Sequence, residues 1–273
     1  MLKKFLIAEK KKSTFDINKQ NSMCSKKMFN LLDKGIKTFC NKNNIYLEIG
    51  VYLGATLTVL AENNPKIKCI GVDDFSFFNK NKKNYSIVKK IIKDKKLNNT
   101  FVLNKDFEDA FTFLKKKNIK VGIIFVDGSH DYRSTLITLL KYYNLLTKNS
   151  LIVIDDSNYY HVRKANDDFL NTHKDCHLVF QKYTKTHISN LSNKKKIQAF
   201  NGYWNGWLCP YVLRHEHERI YNWFAEETPE PQSLEEIEAY RNAKPNEHGL
   251  YYWGACYTWE EYKEVLNDNT NLL

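Results

Sequence analysis

The sequence predicts an α/β fold: a doubly wound, mostly parallel seven-stranded sheet with helices on both faces, followed by a helical and aromatic appendage. Three observations predict it. Short apolar runs rich in β-branched residues alternate with stretches of 10–15 residues whose apolar positions recur at helical spacing. One such unit runs from Val121–Val126, through Leu136, Leu139, Leu140, Tyr143 and Leu146, to Leu151–Ile154; a helical crossover of this kind joins parallel strands. Both strands of that unit end in carboxylates, Asp127 after the first and Asp155 and Asp156 after the second. Ligands of an open parallel sheet bind outside the carboxyl ends of its strands, so these three groups belong to one rim. Crowded together they repel, unless a cation sits among them.

The other elements follow in order. Residues 1–25 are polar and basic and read as an arm. From Lys26, the stripe Phe29, Leu32, Ile36 and Phe39 predicts a helix ahead of the first strand, Ile45–Ile49. The turn Gly50–Gly54 leads into a helix over Ala55–Glu62, which stops before Asn63-Asn64-Pro65. Ile67–Val72 is the second strand, closed by Asp73-Asp74, and Tyr85–Lys96 the next helix. Thr100–Leu103 is the third strand and Phe107–Lys117 the helix after it. Beyond the Val121–Ile154 unit, Val162–Leu170 reads as helix. His177–Tyr183 and a stretch within Ala199–Leu213 read as the last two strands, closing a domain over residues 26–213. Residues 214–273 differ: acidic helices over Glu216–Glu227 and Ser233–Asn242, then an aromatic cluster of Tyr251, Tyr252, Trp253, Tyr257 and Trp259. This extension is expected to cap the sheet or to make a homo-oligomer contact.

Composition narrows the function classes. The chain of 273 residues is 42% hydrophobic and 27% charged, which is ordinary for a globular protein. No run approaches the roughly 20 apolar residues of a membrane span. Only Phe5–Ala8 is apolar near the start, too short for an export signal, and the six scattered cysteines include no C-x-x-C pair. The expectation is a reduced, cytoplasmic chain without structural zinc. Net charge is +11, but residues 201–273 hold 5 Lys+Arg against 13 Asp+Glu, which leaves +19 for the rest. The lysines come in short runs without interleaved aromatics, so they read as solvated faces and not as a specific nucleic-acid site.

The turn after the first strand carries two glycines, Gly50 and Gly54, but not the G-x-G-x-x-G of dinucleotide sites, which argues against a pyrophosphate there. Asp73, 23 residues after Gly50, stands where an acidic side chain accepts ribose hydroxyls. Asp106 could reach an adenine amino group, or could serve as a helix N-cap with Asp109 in the acidic first turn. His130, three residues past Asp127, could take a proton near neutral pH or be a loop histidine bonded to backbone.

Taken together, Glu48-Ile49-Gly50-x-x-x-Gly54, Val72-Asp73, Asp127-Gly128-x-His130 and Ile154-Asp155-Asp156 resemble the class I S-adenosylmethionine-dependent methyltransferases, over residues of about 40 to 170. Within that superfamily the V-D-G-x-H-x-Y and I-D-D elements resemble the metal-dependent O-methyltransferases, catechol-type and above all macrocin-type sugar enzymes. The resemblance implies S-adenosylmethionine held by Glu48, Gly50, Gly54, Asp73 and Asp106. It also implies a divalent metal, Mg²⁺ first, on Asp127, Asp155 and Asp156, with His130 as general base toward a hydroxyl of a small molecule or glycan. Two other readings stay open: a nucleic-acid methyltransferase, favoured by the basic body, and a non-catalytic S-adenosylmethionine-binding module. Metal-dependent turnover separates the last from an enzyme.

Overall fold

The first helix, α1 (Lys26–Phe39), buries Met28, Phe29, Leu31, Leu32, Ile36 and Phe39 along the face that its apolar spacing predicts. The chain then alternates β1 (Ile45–Ile49), α2 (Ala55–Asn63), β2 (Cys69–Asp73), α3 (Asn84–Asp94), β3 (Thr100–Asn104), α4 (Phe107–Lys116), β4 (Val121–Val126), α5 (Tyr132–Tyr142), β5 (Leu146–Ile154) and α6 (Tyr160–Thr172). Two short strands follow, β6 (Cys176–Leu178) and β7 (Val212–Arg214). This computed structural model describes residues 24, 26–77, 83–157, 159–178, 192, 194 and 212–214. The expected acidic helices and aromatic cluster of the C-terminal extension, and the arm except Cys24, lie outside the described residues. Cys24 itself is buried against α1.

One seven-stranded sheet has the order β3-β2-β1-β4-β5-β7-β6. The first five strands pair in parallel, and β7 runs antiparallel to both β5 and β6. The winding goes outward from β1 to β3, then returns to place β4 against the other side of β1, so the order reverses between β1 and β4. Side chains alternate between two cores. Tyr46, Phe125 and Val153 face α1, α2 and α3; Leu47, Ile49, Ile124, Val126 and Ile154 face α4, α5 and α6. All six residues of β4 are buried, as a central parallel strand covered on both faces requires. Each fully buried Ile, Val or Phe there contributes about 1.5–3 kcal/mol.

Several boundaries move by a few residues from expectation, and two have a local cause. β2 begins at Cys69, because Ile67 N bonds Asn64 O in the preceding turn, and Asp73 is its last residue, paired with Asn104. β5 starts at Leu146, which the helical spacing placed on α5. The helix stops earlier because the Asn144 amide bonds the carbonyls of Leu140 and Lys141, giving the last turn its partners from a side chain.

Register sets the position of everything functional. Ile49 stands level with Val72 on one side and Val126 on the other, and Val126 with Ile154. The next residue of each strand, Gly50, Asp73, Asp127 and Asp155, therefore emerges at one level on the carboxyl rim. Backbone bonds carry the ladder that far: Gly50 N to Val72 O at 2.9 Å, Asp127 N to Ile49 O at 2.8 Å, Asp155 N to Val126 O at 2.9 Å.

Candidate active site

At the strand-order reversal, the β1–α2 turn leans directly on the end of β4. Gly50 has φ of +92°, and a Cβ there would lie 1.9 Å from the Asp127 carbonyl oxygen. Only glycine allows both the angle and the approach. Gly54, at φ +76°, starts α2 against the Val88 side chain, where a Cβ would meet Cγ1 at 2.9 Å. The opening of the turn is fastened by Asp73: Oδ2 accepts from Val51 N and Tyr52 N, both at 2.7 Å, and Oδ1 accepts from Phe75 N at 2.6 Å.

Beneath the turn, Glu48 is buried on the α1–α3 face of β1, two residues from Tyr46, whose hydroxyl donates to Oε2 at 2.6 Å. Burial pushes the Glu48 carboxyl up to about 8, with the Tyr46 hydrogen bond opposing and the Asp73 charge adding to the rise. Asp106 is exposed at the end of β3 and is the N-cap of α4, accepting from Glu108 N at 2.7 Å.

The four groups after β4 and β5 come together as two pairs. Asp127 and Asp155 interact electrostatically at the ends of their neighbouring strands. Burial raises the Asp127 carboxyl well above the carboxylate range, and the charges of Asp155, Asp156 and Glu48 raise it further. Asp155 is pushed up to about 7, by burial first and then by Asp156. Asp156 sits at φ +57°, a left-handed conformation that Asp tolerates, and this turns its carboxylate toward the β4–α5 loop. There His130 Nε2 lies 2.7 Å from Asp156 Oδ2, the imidazole 28% exposed and the carboxylate 8%. Burial pulls the His130 pKa down, but Asp156, Asp155 and Asp131 outweigh it, so the ring is more basic than an ordinary histidine. The other oxygen of Asp156, Oδ1, is buried without a hydrogen-bond partner among the described residues. Among the described residues no group of three or more His, Cys, Asp or Glu side chains is arranged as a ready ligand cage. Buried carboxylates with one orphaned oxygen are donors of the kind a hard cation accepts.

Residues 47–157, spanning both the glycine turn and the carboxylate rim, match a protein family described as "Methyltransferase domain". Over that stretch the chain is similar to methyltransferase domains. The O-methyltransferase from Bacillus cereus, solved in complex with SAH, shares its fold: 13% identity, 78% of this chain and 88% of that chain covered, TM-score 0.50. The TDP-rhamnose 3'-O-methyltransferase of calicheamicin biosynthesis is 15% identical over 53% of this chain and 69% of its own, with a TM-score of 0.44. An uncharacterized protein of Acanthamoeba polyphaga mimivirus is 28% identical over 131 residues, 47% of this chain. The match spans only 58% of that relative's length.

Several supports of the candidate site were not legible as such. Asp131 caps α5 by accepting from Ser134 N at 2.8 Å, which fixes the loop that carries His130. Arg163 Nη1 donates to Ser157 O at 2.8 Å, and Tyr159 N to Asp156 O at 3.0 Å, which hold the turn after β5. The one available signal was an arginine amid the apolar stripe Val162, Ala165 and Phe169 of α6, a position that buries a charge only with a partner. Among the described residues, no helix is long and apolar enough to cross a membrane.

Proposed function

We propose that this protein transfers the methyl group of S-adenosylmethionine to a hydroxyl oxygen of a small molecule or glycan, with a sugar hydroxyl the first choice. The observation that carries the reading is the meeting of a tightly pinned glycine turn with a carboxylate–imidazole rim at the strand-order reversal, the place where open α/β sheets take their ligands. The sugar preference rests on the macrocin-type elements Val126-Asp127-Gly128-x-His130 and Ile154-Asp155-Asp156.

Residue roles follow from placement. The turn Gly50–Gly54 and Glu48 take the amino-acid end of the cofactor; a cation beside the buried Glu48 would draw off its proton. Asp73 faces the ribose, and Asp106, with Oδ1 committed to its helix, keeps Oδ2 for the adenine amino group. Asp127, Asp155 and Asp156 would hold a divalent cation, probed first with Mg²⁺. Bound there, the cation would lower the pKa of the acceptor hydroxyl and hold it in line with the donor. His130, on the loop above the same rim, accepts the acceptor's proton, with Asp156 orienting the ring and favouring its charged form.

Calorimetry with S-adenosylhomocysteine and a manganese titration followed by spin resonance test this together. The expected result is cofactor binding by the wild type and loss of manganese affinity in Asp155→Asn. A preference for NAD over S-adenosylhomocysteine would end the assignment, and unchanged manganese affinity would remove the carboxylates as its site.

A further inference from the structure

Charge divides this molecule between the two ends of its sheet. Asp127, Asp155 and Asp156 follow β4 and β5 at the carboxyl rim. At the opposite end, the four connections that lead into β1, β2, β3 and β4 hold seven lysines and no acid. Six of them, Lys42, Lys66, Lys68, Lys96, Lys117 and Lys120, are exposed, and the seventh, Lys95, pairs with Glu62. Backbone bonds set these connections side by side: Ile45 N to Lys120 O at 2.9 Å, Tyr46 N to Lys68 O at 3.1 Å, Cys69 N to Asn99 O at 2.8 Å. The lysines therefore form one face across the amino ends of the strands.

Helix dipoles account for part of this. A cation in the last turn of a helix meets its carbonyl end, and the effect fades beyond that turn. Lys68 and Lys120 stand directly before β2 and β4, past the ends of α2 and α4, where the dipole does not call for them. Phe101, 48% exposed on the edge strand β3, lies 5.5 Å from Lys68 Nζ and adds an aromatic ring at the margin of the face.

The C-terminal segment leaves from this same end. β7 runs antiparallel to β5, and its last residue, Arg214, stands level with Cys176, the first residue of β6. The 59 residues that follow Arg214 hold 13 Asp+Glu against 4 Lys+Arg, a net charge of −9, together with many aromatic residues. β3 is five strands away from β7. At the ordinary strand spacing that is about 24 Å, which about eight extended residues cover. A tethered segment meets its surface at an effective concentration of about millimolar, so a set of individually weak, exposed ion pairs is enough to hold it.

We propose that the lysine face at the amino ends of the strands is the docking surface for residues 215–273 of the same chain. The acidic segment docks at the end of the sheet opposite the candidate active site, leaves the carboxyl rim to ligands and shields the lysines from other polyanions. Docking here is independent of the reaction at the rim.

Carbodiimide crosslinking of the full chain, read by mass spectrometry, tests this, because it joins an amine to a carboxylate only where the two touch. Crosslinks are expected between glutamates of residues 215–273 and Lys66, Lys68, Lys96, Lys117 and Lys120. Crosslinks to Lys83 and Lys105, at the carboxyl end, in place of these would overturn the proposal, and so would none from the segment. In a mixture of ¹⁵N-labelled and unlabelled protein, products of a single isotope are expected. Products that join labelled to unlabelled chains would assign the acidic partner to a second copy and overturn it. Reversing four charges together, Lys66→Glu, Lys68→Glu, Lys117→Glu and Lys120→Glu, should lower the crosslink yield at Lys42 and Lys96 by about tenfold, and an unchanged yield would overturn the face. A single-stranded oligonucleotide that binds the wild type tightly at physiological salt and protects these lysines from acetylation would assign the face to nucleic acid instead.

Discussion

Gly50→Ala is the sharpest test of how the site is built. The added Cβ would stand 1.9 Å from the Asp127 carbonyl oxygen, 2.4 Å from its carbon and 2.8 Å from Gly128 N. All three atoms are backbone, so no side chain can swing away. Ordinary contact begins near 3.4 Å, and the end of β4 would have to retreat by about 1.5 Å. That movement stretches Asp127 N to Ile49 O, now 2.8 Å, the bond that joins the end of β4 to β1. The φ of +92° adds about 1–2 kcal/mol of steric strain for an L-residue. Overpacking costs about 1–3 kcal/mol, and each weakened backbone bond about 0.5–1.5 kcal/mol. The expected loss is about 3–6 kcal/mol, a large share of the roughly 5–15 kcal/mol that stabilises a domain. Gly54→Ala is the control. It also has positive φ, but its nearest neighbour is a terminal methyl of Val88 at 2.9 Å, which can shift, so about 1–3 kcal/mol is expected. Urea unfolding followed by circular dichroism gives both values from the midpoint and slope. Equal destabilisation of the two variants would refute the close approach of β1 to β4 as the reason for Gly50.

Three further predictions are independent of it. Glu48→Gln should change how stability depends on pH. The folded carboxyl titrates near 8, above its unfolded value, so the stability it contributes is complete at acid pH and is lost as pH rises from about 4.3 through about 8. The wild type should fall relative to Glu48→Gln across that window in urea midpoints, and parallel curves would mean that Glu48 is not the buried acid described. His130→Ala should lower methyl-transfer turnover by roughly 10²–10⁴-fold, with calorimetric cofactor affinity unchanged; a variant at full rate would assign the proton elsewhere. Asp106→Ala removes the α4 cap and should cost about 0.5–2 kcal/mol in unfolding experiments. It should also weaken S-adenosylhomocysteine binding, and if affinity holds while stability drops, Asp106 is a cap alone.

The sequence by itself determined the alternation of strand and helix, because parallel strands buried on both faces must be apolar runs and their covering helices must carry stripes. It determined that Asp127, Asp155 and Asp156 share a rim, since a right-handed crossover brings consecutive parallel strands side by side with their ends level. It offered two roles for Asp106, and the cap is formed. The start of β5 was not legible, because Leu146 fits either a helical stripe or a strand and the choice was made by the Asn144 side chain ending the helix. The pairing within the rim was decided only in three dimensions. Asp127 meets Asp155 because their strands end level, and burial raises the pKa of both carboxyls. Asp156 joins His130 because a left-handed turn redirects it. Asp73 is the clearest case. Its place after a core strand marked it as a ligand-binding acid, but its bonds to Val51 and Tyr52 cross from β2 to the turn after β1, a contact between segments 21 and 22 residues apart. Periodicity reports which face a residue occupies, while the partners of a polar atom depend on which other segments the sheet order brings beside it.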